Sequence, residues 1–174
     1  MLSKKRDLLI LIPALDEQNS IKNLILKLKK LGKVLVIDDG SSDNTELVAR
    51  KNGAIVIKHK TNLGYNEALN TGFKFFRKKK FKKVITIDAD GQLPTKYIKV
   101  FNRKLNSNFQ IICGVRPKVA RFGEKVFLYF SNIIWNLKDP LCGLKGFSYS
   151  FIKKNYRNFK FDSINTELLI KGRK

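Results

Sequence analysis

An α/β domain with a mostly parallel sheet and helices on both faces is predicted by three features of this chain. Apolar runs of strand length alternate with segments of helical period. The runs are continuously apolar, as strands buried on both faces must be. And 174 residues suit one core of this kind, with too little chain for a second.

Leu8–Ile12 is the first strand, and Ile21, Leu24, Ile25, Leu28 and Leu31 form the apolar stripe of a helix closed by Gly32. Val34–Ile37 is the second strand. A helix then starts at Asp43, where Glu46 three residues later completes a capping-box pattern. Ala54–Ile57 is the third strand, and Ala68, Leu69, Gly72, Phe73 and Phe76 mark a helix running into the basic cluster 77–83. Val84–Ile87 is the fourth strand, followed by a helix from about Pro94 to Leu105 and a strand at Ile111–Val115. From Phe122 to Leu137 one helix is apolar nearly all round, which fits either burial in the core or a position on a membrane surface.

In such sheets ligands bind beyond the carboxyl ends of the strands, so the polar clusters after Ile12, Ile37 and Ile87 are expected to converge on one cleft. The first is Pro13-Ala14-Leu15-Asp16-Glu17, and the second is Asp38-Asp39-Gly40-Ser41-Ser42-Asp43. A carboxylate in the second can accept hydrogen bonds from a nucleotide base or a ribose. The third is Asp88-Ala89-Asp90-Gly91-Gln92, with two carboxylates able to share one hard divalent cation, Mg²⁺ or Mn²⁺, with substrate phosphates. Asn62-Leu63-Gly64-Tyr65 adds backbone amides at a helix start, where an anion can be met.

Composition sets the company this chain keeps. With 36 Lys+Arg against 14 Asp+Glu, a formal charge of +22, an anionic partner is expected. Nucleic acid is not the expected partner, since acids at three strand ends would repel phosphates there and no nucleic-acid-binding module pattern appears; a basic nucleic-acid-binding protein is the lesser alternative. A nicotinamide-binding domain is not expected either, because no glycine fingerprint follows the first strand. Cys113 and Cys142 make neither a disulfide framework nor metal-ligand spacing and read as free buried thiols. His59, the only histidine, reads as exposed among lysines. The apolar run after the basic N-terminus is broken by Pro13 and is a strand, not a leader, and no stretch approaches the roughly 18 apolar residues of a membrane span.

Taken in order, Ile12–Glu17, Val36–Thr45, Asn62-Leu63-Gly64 and Asp88–Gln92 resemble the family 2 glycosyltransferases of GT-A fold. The likeness is greatest to the branch that glycosylates polyprenyl phosphates, the dolichol-phosphate mannosyltransferase-like enzymes. Gly114-Val115-Arg116 and 139–146 resemble later landmarks of the same family. The resemblance implies a single GT-A domain over 1–174, short at its C-terminus, that inverts a hexose in transferring it from a GDP- or UDP-sugar. It implies that Pro13, Ala14, Glu17, Asp38, Asp39, Gly64 and Ala89 bind the nucleotide-sugar, and that Asp88, Asp90 and Gln92 surround the metal and diphosphate. Arg116 and Arg121 would hold acceptor or diphosphate oxygens, and Asp139 would stand on the acceptor side as a base or an orienting group. Asp16 replaces the asparagine common in the family, adding charge near the nucleotide.

The acceptor expected is polyprenyl phosphate, with a glycan hydroxyl as the alternative and a non-catalytic membrane-associated relative as a further one. The expected setting is the inner face of the cytoplasmic membrane, on anionic lipid, with room for a membrane-protein partner subunit.

Overall fold

The computed structural model describes residues 7–79, 81–106, 109–116, 122–156 and 163–172. In chain order the elements are β1 (Leu8–Ala14), α1 (Ile21–Leu28), β2 (Lys33–Asp38), α2 (Thr45–Lys51), β3 (Ile55–Lys58), α3 (Tyr65–Lys78) and β4 (Lys83–Thr86). There follow α4 (Lys96–Asn106), β5 (Ile111–Cys113), α5 (Phe122–Trp135), β6 (Lys145–Ser148), α6 (Tyr149–Asn155) and α7 (Ile164–Lys171).

The sheet has the order β3-β2-β1-β4-β6-β5. Strands β1 to β4 pair in parallel, and β6 runs antiparallel to both β4 and β5. The pleat explains why β1 is apolar throughout. Leu8, Ile10 and Ile12 face a core shared with α1, α2 and α4, whereas Leu9 and Leu11 face one shared with α3, α6 and α7. The same alternation divides Val34 and Val36 from Leu35 and Ile37 in β2. The three-layer α/β/α expectation is thereby met.

From β1 the chain walks outward through β2 to β3, then returns on α3 to place β4 on the other side of β1. The order of strands therefore reverses between β1 and β4. At such a switch point the connections diverge to opposite faces and leave a crevice at the strand carboxyl ends.

Helix α2 and strand β6 depart from the sequence-based expectation, and helices α6 and α7 were not anticipated by it. Helix α2 begins at Thr45, not Asp43, and no capping box forms. Asp43 instead accepts from the Thr45 amide at 2.8 Å and, through its other oxygen, from the Gln18 amide at 3.0 Å, so the acid joins two loops. Strand β6 carries Lys145 and Gly146 where an apolar run would announce a strand. Gly146 is needed there, since a Cβ would meet Leu105 at 3.0 Å and Phe101 at 3.1 Å from α4.

Candidate active site

The loops after β1 and β2 are stitched to each other. The Asp16 amide donates to Ser41 Oγ at 3.0 Å, and the Glu17 amide donates to Thr45 Oγ1 at 2.7 Å. In the reverse direction the Ser42 amide donates to Asp16 Oδ1 at 2.8 Å. Asp16 has a φ of 54°, a left-handed conformation that Asp and Asn adopt more readily than most residues. Its carboxylate is thus spent on the Ser42 loop rather than offered to the cleft. Gly40, at φ 79°, lets this loop lie against the next one, because a Cβ there would meet the Thr61 carbonyl carbon at 2.5 Å.

Asp38 and Asp39 do different work. Asp38 is fully buried under the loop: Oδ1 accepts from the Ser41 amide at 2.9 Å, and Oδ2 has Lys58 Nζ at 3.7 Å but no hydrogen bond. Asp39 borders the cleft and organises the 62–64 loop, accepting from the Leu63 amide at 3.0 Å and the Gly64 amide at 2.8 Å. It also faces His59 Nδ1 at 2.7 Å. His59 is therefore buried rather than exposed, with Nε2 on Thr71 Oγ1 at 2.9 Å. A carboxylate only accepts, so Nδ1 carries hydrogen, and the neutral ring can accept the Thr71 hydroxyl at Nε2. Sequence gave no warning of this, because Asp39 and Thr71 reach His59 only through the fold.

Between β1 and β4 lies a cleft of about 350 Å³ lined by Pro13, Ala14, Glu17, Asp39, Gly64 and Tyr65, with Asp88, Ala89 and Asp90 at its far side. Tyr65, the first residue of α3, donates its hydroxyl to Asp88 Oδ1 at 3.0 Å. Burial pushes the Asp88 carboxyl above its ordinary range, and the neighbouring charge of Asp90 adds to this, against the Tyr65 hydrogen bond. The Tyr65 phenol is itself raised by burial and by the Asp88 charge, so it stays a donor. Two carboxylates that repel each other at a half-enclosed cleft form a donor set suited to a hard cation. Among the described residues no group of three or more His, Cys, Asp or Glu forms a metal cage. A cation here would take its remaining oxygens from water and ligand, which is how Mg²⁺ is usually held. Gln92 lies outside this set. Its amide donates to Asp90 Oδ1 at 2.9 Å and its side chain borders the adjoining cavity.

Beside the Tyr65 hydroxyl stands Asn165 of α7, only 4% exposed, and its side-chain amide acts on the phenol against the rise that burial and Asp88 impose.

The acceptor-side residues form a second cluster. The Arg116 amide and Nε both donate to Asp139 Oδ2 at 2.9 Å, and Nη2 donates to Oδ1 at 3.0 Å. Nη1 pairs with Glu124 Oε2 at 3.2 Å. Asp139 is 2% exposed; burial pushes its carboxyl up, but the Arg116 hydrogen bonds and charge outweigh this and hold it below the usual carboxylate range. Lys145, fully buried, donates to the Cys142 carbonyl, and burial lowers its ammonium although the charges of Asp88 and Asp139 lie around it. Cys113 and Cys142 are free, as expected, but only Cys142 is fully buried; Cys113 is half-buried, and its partial burial still pushes the thiol up to about 12. Arg121 lies outside the described residues.

A cavity of about 660 Å³ adjoins this cluster, walled by Leu93, Tyr97, Val100, Ile112 and Val115 and reached by Arg116. Next to it α5 leaves its apolar side chains in solvent: Tyr129 is 65% exposed, Ile133 62% and Ile134 61%. The helix is therefore not buried in the core of the described residues. No helix of the described residues is long and apolar enough to cross a membrane.

The sequence model described as Glycosyl transferase family 2 matches residues 9–161. The chain belongs to this family. An uncharacterized protein of Methanocaldococcus jannaschii is 33% identical over 187 residues, covering 98% of this chain and 77% of that protein. A UDP-N-acetylglucosamine–dolichyl-phosphate N-acetylglucosaminyltransferase of Methanococcus voltae is 25% identical over 196 residues, covering 92% of this chain and 78% of its own. Among solved structures, glucosyl-3-phosphoglycerate synthase from Mycobacterium tuberculosis superposes with a TM-score of 0.67 at 23% identity, over 86% of this chain and 61% of that one. The same synthase in complex with Mn²⁺ and UDP-glucose gives 0.66 at 22%, over 84% and 57%. These likenesses establish the GT-A fold, and the family 2 chain spans a little under two thirds of those structures.

In this family 2 glycosyltransferase the fold gathers most of the residues that the resemblance singled out. Pro13, Ala14, Glu17, Asp39, Gly64, Asp88, Ala89 and Asp90 share the first cleft. Arg116 and Asp139 form the second cluster with Glu124. Asp38 is sealed beneath the first cleft, and Gln92 sits in the wall of the neighbouring cavity. Asn165, Glu124 and Lys145 were not singled out as site residues by sequence, and Tyr65 stood out only as part of a helix start. Tyr65 meets Asp88 and Asn165 through the fold alone, whereas Glu124 and Lys145 find Arg116 and Cys142 nearby in the chain.

Proposed function

We propose that this chain transfers a hexose from a nucleotide-diphosphate sugar to polyprenyl phosphate at an anionic membrane surface. The observation that carries the acceptor class is the saturation of Asp139. An acceptor hydroxyl must lose a proton as it attacks, which needs a base within reach. Asp139 accepts three hydrogen bonds from Arg116 and is held below the usual carboxylate range, so it is a poor base and a good orienting group. Glu124 is paired with the same arginine, and the sole histidine is tied to Asp39. A phosphate monoester is already an anionic nucleophile and needs positioning and charge neutralisation instead.

On this reading the nucleotide lies in the 350 Å³ cleft between Pro13, Glu17, Asp39 and Gly64, with its diphosphate toward Asp88 and Asp90. Those two carboxylates would hold Mg²⁺ or Mn²⁺, which when bound neutralises charge on the leaving diphosphate. The acceptor phosphate attacks the anomeric carbon from the Arg116 side, the diphosphate departs, and the anomeric centre inverts. A UDP-sugar is supported by the activity of the Methanococcus voltae relative, which also acts on dolichyl phosphate. The membrane setting rests on the exposed apolar side chains of α5, with Lys125 and Lys138 near its ends, and on the charge of +22.

Turnover of UDP- and GDP-sugars with polyprenyl phosphate in vesicles tests this. The expected result is transfer from one of them, faster on anionic than on neutral vesicles, with the gain lost as salt rises. Equal rates on both vesicle types remove the electrostatic part, and transfer only to a glycan hydroxyl sinks the acceptor class. Asp139→Asn is expected to lower turnover roughly 10- to 100-fold by loosening Arg116, with the shape of the pH–rate profile kept. Disappearance of an acid limb from that profile would make Asp139 a general base after all.

A further inference from the structure

We infer that the Glu124 carboxylate and the acceptor's phosphate compete for the same seat on Arg116. The inference rests on the phosphate-acceptor reading and adds a residue that tunes it. Arg116 presents two edges. Nε and Nη2 are committed to Asp139, whose side chain is 1% exposed, and that pairing fixes the plane of the guanidinium. Nη1 is left at the open end of the cluster, where Glu124 Oε2 meets it at 3.2 Å with both side chains 26% exposed. The two contacts differ in kind. The Asp139 contact is buried, bidentate and reinforced by the Arg116 amide. The Glu124 contact is a single one, longer, partly exposed and without a backbone donor beside it, so it is the weaker of the two and the one a competing anion displaces.

A phosphate monoester carries more charge than a carboxylate and has three acceptor oxygens, so it outcompetes Glu124 for the same donor. Glu124 then becomes a like charge beside the bound phosphate and weakens the acceptor it admits. A glutamate in the first turn of a helix has a bland explanation, since negative charge is favoured near the N-terminal end of the dipole. That explanation does not require the carboxylate to reach Arg116. The cavity beside Arg116, with apolar walls, favours a phosphate that carries a hydrocarbon chain over a free one.

The test is calorimetric titration of the full chain, loaded with UDP and Mn²⁺, with farnesyl phosphate below its micelle concentration and, separately, with inorganic phosphate. Glu124→Gln is expected to bind both phosphates about three- to tenfold tighter than wild type, the scale of one partly exposed ion pair and one like-charge repulsion, with UDP affinity unchanged. Glu124→Ala gives the same direction if the carboxylate rather than the side-chain bulk is responsible. A purely structural role would move UDP and phosphate affinities together, or neither. Tighter farnesyl phosphate alone assigns the seat to lipid acceptors, and equal gains for both probes assign it to the phosphate group. Unchanged or weaker phosphate binding by Glu124→Gln, with wild type binding normally, overturns the inference and leaves the acceptor reading standing. Wild type that binds neither probe overturns both.

Discussion

Asp90→Ala is expected to erase the metal-dependent part of nucleotide binding while leaving the fold intact. In wild type, UDP or GDP with Mn²⁺ at about one hundred times its dissociation constant is expected to stabilise the native state by roughly 2.7 kcal/mol. For a chain of this length that is a rise of roughly 5–10 °C in the unfolding midpoint. Asp90 is exposed, so without ligand the substitution is expected to change stability by less than about 1 kcal/mol, and part of that is relief of Asp88. With ligand, one of the two carboxylates facing the cation is gone, and turnover is expected to fall by about 10²–10³. A thermal-shift series with and without Mn²⁺ separates the outcomes. If Asp90→Ala keeps the full metal-dependent rise, the cation is not held between Asp88 and Asp90.

Gly143→Ala is expected to damage the same site from the other side of the chain. A Cβ at Gly143 would lie 1.8 Å from Asp88 Oδ2 and 2.2 Å from its carboxyl carbon. The Gly143 backbone cannot retreat easily, because its carbonyl accepts from Thr86 Oγ1 at 2.9 Å and the preceding Cys142 carbonyl accepts from buried Lys145. The Asp88 carboxylate must therefore shift, which disturbs its hydrogen bond from Tyr65 and its placement beside Asp90. Overpacking of this kind costs about 1–3 kcal/mol, and a displacement of about 1 Å at a reacting centre costs on the order of 10²-fold in rate. Denaturant unfolding and turnover measure the two effects separately. A variant that kept both wild-type turnover and the metal-dependent thermal shift would show that Asp88 does not need its position against Gly143.

The first cleft was legible because its determinants are local. A run such as Leu8–Ala14 is apolar on both faces only if helices cover both, and the parallel sheet that follows forces strand carboxyl ends to one edge. Asp88 and Asp90 after Ile87, and Pro13 and Glu17 after Ile12, then had one place to go. Asp38 misled because burial does not follow from sequence position. Adjacent residues at a strand end point to opposite sides, so of two neighbouring acids one borders the cleft and the other is sealed beneath it. His59 misled for a related reason: lysines flank it, yet its ring turns inward to Asp39 and Thr71.

The sequence by itself determined the layers, the parallel strands, the edge at which chemistry gathers and the family. It did so because side-chain periodicity and strand-end motifs are short-range properties. Only the tertiary structure decided that α5 leaves its apolar side chains in solvent, that Asp139 is saturated by Arg116, that Glu124 closes the same arginine, and that Gly143 props Asp88. Each of these depends on groups brought together across several elements, where burial and hydrogen-bond partners are set by three-dimensional packing and not by spacing along the chain.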